Sequence, residues 1–196
     1  MSIQARKQAL RQSIIAARLK MPGADRAARS RAITARLGEL EAYRNAATVL
    51  AYMSFGAEFD TTGWVQQALR DGKQLLLPRV NGATRQLDIY QVKDLQHDIA
   101  PGKWDIPEPV PERCRLVEDL GEVDFILLPG VAFTRDGARL GYGGGFYDKL
   151  LARMTHRPAL VAAAFDVQLA DLLPQEPTDR KIEWLLTEHA SLQCAA

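Results

Sequence analysis

Apolar side chains recur at helical spacing through the first forty residues. Within residues 2–20 they are separated by seven, four and three positions, which predicts a helix that ends before Pro22. A second helix is predicted over residues 25–42, where Ile33 and Leu37 repeat at the same spacing. The chain therefore begins with two consecutive helices.

Short apolar runs replace this pattern further along the chain. Helices are predicted over 62–71 and 146–154, and strands over 48–52, 74–77, 86–90, 124–128, 159–164 and 182–186. Pro78 is expected to close the second strand. Residues 97–121, which hold four prolines and show no period, are predicted to be a long surface connection. Strands that alternate with helices predict an α/β protein with a mostly parallel sheet covered on both faces.

Composition narrows the possible partners. A chain of 196 residues that is 47% hydrophobic can bury a substantial core. Its 25 basic and 24 acidic residues create no general basic field, so we expect no nucleic-acid partner. No apolar run could cross a bilayer and no signal sequence is evident, so we expect no membrane association and a cytoplasmic location. Cys114 and Cys194 lack the spacing of a zinc site or a disulfide framework.

The segment 128–151 is the strongest chemical signal. Its four closely spaced glycines leave backbone N–H groups free to approach an anion, and Arg139, Asp148 and Lys149 flank them. The segment matches neither a Walker A loop nor a dinucleotide-binding fingerprint, and no strand is predicted directly before the glycines. A turn that merely reverses the chain is the alternative. Because the segment follows the strand ending at Leu128, we expect it at the carboxyl edge of the sheet.

Two further features have both a functional and a structural interpretation. Lys7 and Arg11 are four residues apart and share a helix face, where they either bind an anion or belong to a solvated basic stripe with Arg18. Glu58 follows a buried strand. Either Asp60 or Thr61 can be explained as the cap of the helix that follows, whereas Glu58 has no such structural explanation.

Five motifs, taken in order, resemble the 5-formyltetrahydrofolate cyclo-ligase family, also called methenyltetrahydrofolate synthetase. The first three are Lys7-x-x-x-Arg11, Tyr52-x-Ser54 with Glu58, and Trp104-x-Ile106-Pro107-Glu108-Pro109. The fourth is Leu128-Pro129-Gly130 leading to the glycine-rich loop that ends in Phe146-Tyr147-Asp148, and the fifth is the late segment 162–169 followed by 177–188. The resemblance spans nearly the whole chain.

The resemblance implies a fold and a reaction. The fold would be a three-layer α/β/α arrangement similar to the NagB/RpiA/CoA transferase-like fold, formed by residues 1–196 as one domain with helices of about 2–42 packed on the sheet. The reaction would convert 5-formyltetrahydrofolate, or its polyglutamated form, and ATP into 5,10-methenyltetrahydrofolate, ADP and phosphate, with Mg²⁺ as cofactor. The protein would be a cytoplasmic monomer.

The same resemblance implies roles for particular residues. ATP would be bound by Lys7, Arg11 and the loop residues Arg139, Leu140, Gly141, Tyr142, Gly143, Gly144, Gly145, Phe146 and Tyr147. Arg139 and Tyr147 would also be catalytic, and Asp148 and Asp179 would hold magnesium. The folate substrate would be bound by Met53, Glu58, Trp104, Tyr142 and Phe146.

The chain departs from the family pattern at four positions, and two other functions stay open. Many members carry a basic residue at the position of Tyr142, a lysine at Gly144, a tyrosine at Phe146 and a histidine at Thr178. Arg139, Lys7 and Arg11, with Lys149 as a further candidate, would then balance the γ-phosphate. The alternatives are a sugar-phosphate isomerase or acyl-transfer enzyme with a catalytic Glu or His, and a noncatalytic folate- or nucleotide-binding regulator.

Overall fold

The computed structural model describes residues 2–176 and 179–194, so Thr178 lies outside the described residues. Its helices are α1 (Ile3–Lys20), α2 (Gly23–Glu39), α3 (Glu41–Asn45), α4 (Thr62–Arg70) and α5 (Phe146–Ala152). The first seven strands are β1 (Thr48–Leu50), β2 (Gln74–Asn81), β3 (Gln86–Val92), β4 (Ile99–Pro101), β5 (Pro107–Pro109), β6 (Arg115–Leu116) and β7 (Phe125–Leu128). The others are β8 (Ala132–Phe133), β9 (Arg139–Leu140), β10 (Ala159–Ala163), β11 (Trp184–Leu186) and β12 (Ser191–Gln193).

Eight strands form the central sheet, in the order β12-β11-β10-β7-β1-β2-β3-β6. The five strands from β11 to β2 run parallel, and β12 and β3 run antiparallel to them. The edge strand β6 pairs antiparallel with β3. The prediction of an α/β protein with a mostly parallel sheet is therefore confirmed. Because the five parallel strands point the same way, their carboxyl ends share one edge.

Helices cover both faces of this sheet, since its central strands are apolar on each side. On one face Val49, Leu75, Phe125 and other strand residues pack against the side chains of α2, α3 and α4. On the opposite face the alternate residues, among them Leu76 and Ile126, pack against α5.

Helix α1 packs differently from α2. Its Leu10 and Ile14 lie against a small cluster that contains Ala132 and Leu140 of the β8–β9 hairpin, together with Leu173. The apolar face predicted for residues 2–20 thus covers a hairpin at the edge of the fold. None of the helices in the described part of the chain is long and apolar enough to span a bilayer.

The predicted second helix is two helices in the structure. Leu40 adopts an extended conformation, with φ −64° and ψ 125°, and this breaks the helix between α2 and α3. The prediction that Pro78 closes the second strand was also wrong, because β2 continues to Asn81. Pro78 pairs only with Ile89 of β3 and lies beyond the residues that pair with β1, so no ladder bond to β1 needs its missing N–H.

Residues 97–121 contain more structure than the expected surface connection. They form the β4–β5 hairpin, a 3₁₀ turn over Lys103–Asp105 and the edge strand β6. Their prolines are tolerated because a two-stranded hairpin leaves one side of each strand unpaired. The expectation that no strand precedes the glycines was wrong as well, since β9 ends at Leu140. A two-residue strand shows too little alternation to be recognised in a sequence.

Candidate active site

The site lies where the carboxyl edge of the sheet meets α1. Two loops converge there: residues 51–61, which follow β1, and residues 141–145, which connect β9 to α5. Gly143 has φ +99° and Gly145 has φ +66°, conformations that favour glycine because it has no Cβ. The glycines thus permit a backbone path that brings the loop against α1.

Arg11 joins α1 to the glycine loop. Its Nε donates a hydrogen bond of 2.8 Å to the carbonyl oxygen of Gly141, 130 positions away in the sequence. Its Cζ would lie 3.4 Å from a Cβ placed on Gly143, so the loop packs directly on the guanidinium. The structure therefore brings Arg11 together with the predicted anion loop.

Lys7 is buried in a different set of contacts. Its Nζ lies 2.8 Å from Glu176 Oε2 and 3.1 Å from Asp179 Oδ2. Burial opposes the charge of Lys7, but the bonds to the two carboxylates outweigh it and raise the pKa of the amine. Lys7 is thus a fixed cation that contacts one of the predicted metal ligands.

Arg139 is held by the other predicted metal ligand. Its Nη2 donates to Asp148 Oδ1 at 2.7 Å, and its Nη1 donates to the carbonyl oxygen of Pro129 at 3.2 Å. Its Nε is buried and has no hydrogen-bond partner among the described residues. Such an orphan donor is unfavourable, so Arg139 has capacity to bind a further acceptor.

The predicted magnesium residues fit the ion in donor chemistry. Asp148 and Asp179 keep side-chain exposures of 44% and 24%, and carboxylate oxygens are ligands that Mg²⁺ prefers. Each carboxylate contacts a basic side chain. Within residues 2–176 and 179–194, the one group of three potential metal ligands is elsewhere and consists of Asp166, Glu188 and His189, with Arg29 paired to Glu188.

Glu58 is a buried carboxylate beside the glycine loop. The hydroxyl of Tyr142 donates to its Oε1 at 2.6 Å, and the backbone N–H of Phe55 donates to its Oε2 at 3.0 Å. Burial raises the pKa of Glu58 despite these bonds. The ring of Phe55 lies 5.3 Å from that of Tyr142, so an aromatic pair stands beside the carboxylate.

The other predicted substrate residues differ in position. Met53 is buried in the core cluster beneath α2 to α4, while Phe146 and Tyr147 are half-buried where the glycine loop enters α5. Trp104 is 63% exposed in the 3₁₀ turn between β4 and β5, and the amine of Lys103 lies 4.6 Å from its ring centroid. The predicted contact between Trp104 and the substrate stays a prediction.

Three residues at this site received no functional role from the sequence. As a member of the basic stripe Arg18 is expected to be solvated, yet it is 3% exposed and its Nη2 donates to the hydroxyl of Tyr142. The other two residues are Phe55 and Glu176, which no sequence motif singles out. Arg18 follows Arg11 by seven residues and so shares its helix face, which is the one sequence signal that could have identified it.

These features define an α/β protein with a composite candidate site: a glycine loop with cationic side chains beside it, next to a buried carboxylate and two aromatic rings. Comparison with known proteins identifies the family. The model of the 5-formyltetrahydrofolate cyclo-ligase family matches residues 3–188, so the chain belongs to this family.

Individual relatives support the assignment. The chain is 32% identical to a 5-formyltetrahydrofolate cyclo-ligase of Mycolicibacterium smegmatis over 92% of this chain and 93% of the relative. It is 34% identical to the Escherichia coli protein of that name, over 71% of this chain and 77% of the relative. The NMR structure of an Aquifex aeolicus 5,10-methenyltetrahydrofolate synthetase is similar with a TM-score of 0.83 and 30% identity, covering 95% of this chain and 92% of that one.

Proposed function

We propose that the protein catalyses the ATP-dependent cyclisation of 5-formyltetrahydrofolate to 5,10-methenyltetrahydrofolate, with release of ADP and phosphate. The observation that carries the proposal is the continuity of the two halves of the site. Arg11 contacts the glycine loop at Gly141, and the next residue of that loop, Tyr142, contacts Glu58. An anion on the loop and a ligand on Glu58 would therefore be neighbours.

The reaction requires this proximity. The formyl oxygen on N5 takes the γ-phosphoryl group of ATP, and ADP leaves. N10 then attacks the activated formyl carbon and loses its proton, and the oxygen departs as part of the phosphate. Phosphoryl transfer depends mainly on positioning and on neutralising negative charge, so no side-chain nucleophile is needed.

The residues divide between the two substrates. Lys7, Arg11, Arg139 and the amides of the glycine loop would bind the phosphates. Lys149 is a further candidate, although its amine donates to the carbonyl oxygen of Arg85 in this structure. Glu58 would accept hydrogen bonds from the amine and amide donors of the reduced pterin. Met53, Trp104, Tyr142 and Phe146 would supply its apolar contacts, and Tyr147 and Arg139 would act closest to the transferred group.

Magnesium would be held by Asp148 and Asp179 beside the phosphates, where it would neutralise part of their charge. Asp148 bonds Arg139 through Oδ1 and Asp179 bonds Lys7 through Oδ2, so the other oxygen of each carboxylate would be available to the ion while these bonds persist. The ion pairs would then keep the two cationic side chains beside the phosphates.

We further infer a single domain over residues 1–196, of the NagB/RpiA/CoA transferase-like fold, that acts as a cytoplasmic monomer. The two helical layers on one eight-stranded sheet support this inference. The balanced charge supports the expectation that neither nucleic acid nor a membrane is a partner.

The test is a direct assay. Purified protein with Mg²⁺, ATP and 5-formyltetrahydrofolate should develop the near-ultraviolet absorbance of the methenyl product, and the rate should vanish when ATP is omitted. Arg139→Met should remove most of the activity, while Arg113→Met, which alters an exposed arginine bonded to the carbonyl of His97, should not. Binding of both ligands without product would contradict the proposal and favour a noncatalytic regulator.

A further inference from the structure

Helix α1 buries charge where a helix ordinarily buries apolar residues. Its buried residues are Lys7 and Arg18. Lys7, Arg11 and Arg18 follow one another at intervals of four and seven, so they form a stripe on one helix face. The contacts of Lys7 and Arg11 are accounted for by the proposed phosphate site, whereas those of Arg18 are not.

Arg18 contacts the opposite half of the site. Its Nη2 donates to the Tyr142 hydroxyl at 2.8 Å, and its Cζ lies 5.8 Å from the centroid of that ring. Its Nε is buried and lacks a hydrogen-bond partner among the described residues. A buried guanidinium that leaves a donor unused is unfavourable unless another contact offsets it. The hydroxyl of Tyr142, which accepts the bond from Arg18, is also bonded to the carboxylate of Glu58.

The hydrogen bonds run in one direction. Arg18 donates to the oxygen of Tyr142, and Tyr142 in turn donates its proton to Glu58 at 2.6 Å. Because the tyrosine oxygen receives a charge-assisted bond, its own O–H becomes a better donor to the carboxylate. Among residues 2–176 and 179–194, the titratable groups that face Glu58 are Arg18, Tyr52, Tyr142 and Tyr147, so Arg18 is the one cation in that set.

We propose that Arg18, acting through the hydroxyl of Tyr142, is the positioning residue that keeps the Glu58 carboxylate ionised and oriented for the folate substrate. The functional part of this inference rests on the function proposed above. Burial favours the neutral acid at Glu58, and a neutral acid would present an O–H where the substrate also presents donors. Arg18 opposes that tendency without itself occupying the substrate pocket.

A purely structural role for Arg18 makes a different prediction. If Arg18 only anchored α1 to the loop, its loss would lower stability and impair both substrates without a characteristic pH dependence. If it maintains the charge of Glu58, its loss must change the pH at which Glu58 titrates. The two roles are therefore distinguished by a titration.

The first experiment is a ¹³C NMR titration of the Glu58 side-chain carboxyl in the ligand-free full-length protein, with the signal assigned by its loss in Glu58→Gln. Arg18→Met and Tyr142→Phe should each move the pKa of Glu58 upward. Arg18→Lys, which retains the cation, should move it less. Lys20→Met, which removes an exposed cation from the same helix, should leave it unchanged.

The second experiment measures the pH dependence of kinetics in the same variants. Arg18→Met should raise the KM for 5-formyltetrahydrofolate by about tenfold at neutral pH, as expected for a lost charge-assisted hydrogen bond. The increase should diminish as the pH is raised, because Glu58 then ionises without help. The KM for ATP and kcat should change less than twofold, roughly the scatter expected between independent sites.

Unchanged titration of Glu58 in both Arg18→Met and Tyr142→Phe would overturn the proposal, as would equal effects on the KM of both substrates. Tyr142→Phe keeps the ring packed on Phe55, so it provides the test even if Arg18→Met does not fold. Lack of turnover in the unaltered protein would instead contradict the proposed reaction. In that case the NMR titration still decides whether Arg18 maintains the charge of Glu58.

Discussion

Helices α1 and α2 have nearly the same length, 18 and 17 residues, but they bury different chemistry. Helix α2 buries Ile33 and Leu37 in the core under the sheet. The buried residues of α1 are Lys7, which bonds Glu176 and Asp179, and Arg18, which bonds Tyr142 of the glycine loop. Apolar burial stabilises a fold, whereas burial of a cation opposes it unless partners compensate. Helix α2 thus contributes apolar side chains to the core, and α1 contributes charged side chains to the proposed site.

The partners of the α1 cations explain how the arrangement is tolerated. Lys7 is compensated by Glu176 and Asp179, and Arg18 by Tyr142 and, behind it, Glu58. Each partner belongs to the proposed site or contacts it. A helix held this way gains little net stability from its buried charges. Its apolar contact with the rest of the fold comes from Leu10 and Ile14.

The largest expected effect concerns the α2 side of the comparison. Leu37→Ala should lower the free energy of unfolding by about 2–5 kcal/mol, because the side chain is fully buried and its loss leaves a cavity. Leu19→Ala, which changes a leucine of α1 that is 63% exposed, should stay within about 0.5 kcal/mol of the unaltered protein. Urea unfolding measures both, and similar losses would contradict the contrast between the helices.

The next effect concerns the α1 side. Arg11→Ala and Lys7→Ala should each raise the KM for ATP by about 10- to 100-fold, which corresponds to about 1.5–3 kcal/mol for a charge-assisted contact. The KM for 5-formyltetrahydrofolate should change much less, because neither residue contacts Glu58 or Tyr142. Initial rates at varied substrate concentrations test this. Equal changes for the two substrates would argue against a phosphate role.

A smaller change in stability is expected from replacing a glycine in the glycine loop, Gly143, or in helix α2, Gly38, and its sign should differ between the two. Gly143→Ala should lower stability by about 1–2 kcal/mol, since its φ of +99° is strained for other residues. The new Cβ would meet Arg11 only at ordinary contact distance, 3.4 Å from its Cζ, so any rise in the KM for ATP should come from the strained loop backbone. Gly38→Ala in α2 meets open space and should instead raise stability by about 0.5–1 kcal/mol. A loss of stability at Gly38 or none at Gly143 would contradict this account.

The smallest effect is a pH dependence at Glu58. Its pKa is raised by burial, so its contribution to stability is fully present below the ordinary glutamate pKa of 4.5 and is lost as pH rises through the folded value. Glutamine cannot ionise, so the stability of Glu58→Gln should not fall with rising pH for this reason. The variant should therefore be slightly more stable than the unaltered protein at neutral pH and equally stable below the ordinary glutamate pKa. Urea unfolding at a series of pH values measures it. The opposite trend would mean that Arg18 and Tyr142 overcompensate for burial.

Local patterns and the family resemblance in the sequence were enough to predict much of the molecule. Periodicity predicted both N-terminal helices and the parallel strands, since side-chain alternation reflects which face is buried. It failed where pairing partners decide the outcome, as at Pro78 and in residues 97–121. A proline is acceptable only if no neighbouring strand needs its N–H, and the neighbours are not visible in the sequence.

The site likewise combines features that the sequence predicts with contacts that depend on the folded structure. The sequence by itself determined that the chain carries a glycine-rich loop, a basic helix face and an isolated Glu58, and its resemblance to the family predicted that the three form one site. Only the tertiary structure decided that Arg11 packs on the loop, that Lys7 is engaged by Glu176 and Asp179, and that Arg18 reaches Glu58 through Tyr142. The physical reason is that the charge state of a buried group depends on partners from distant segments, which meet only when the chain has folded.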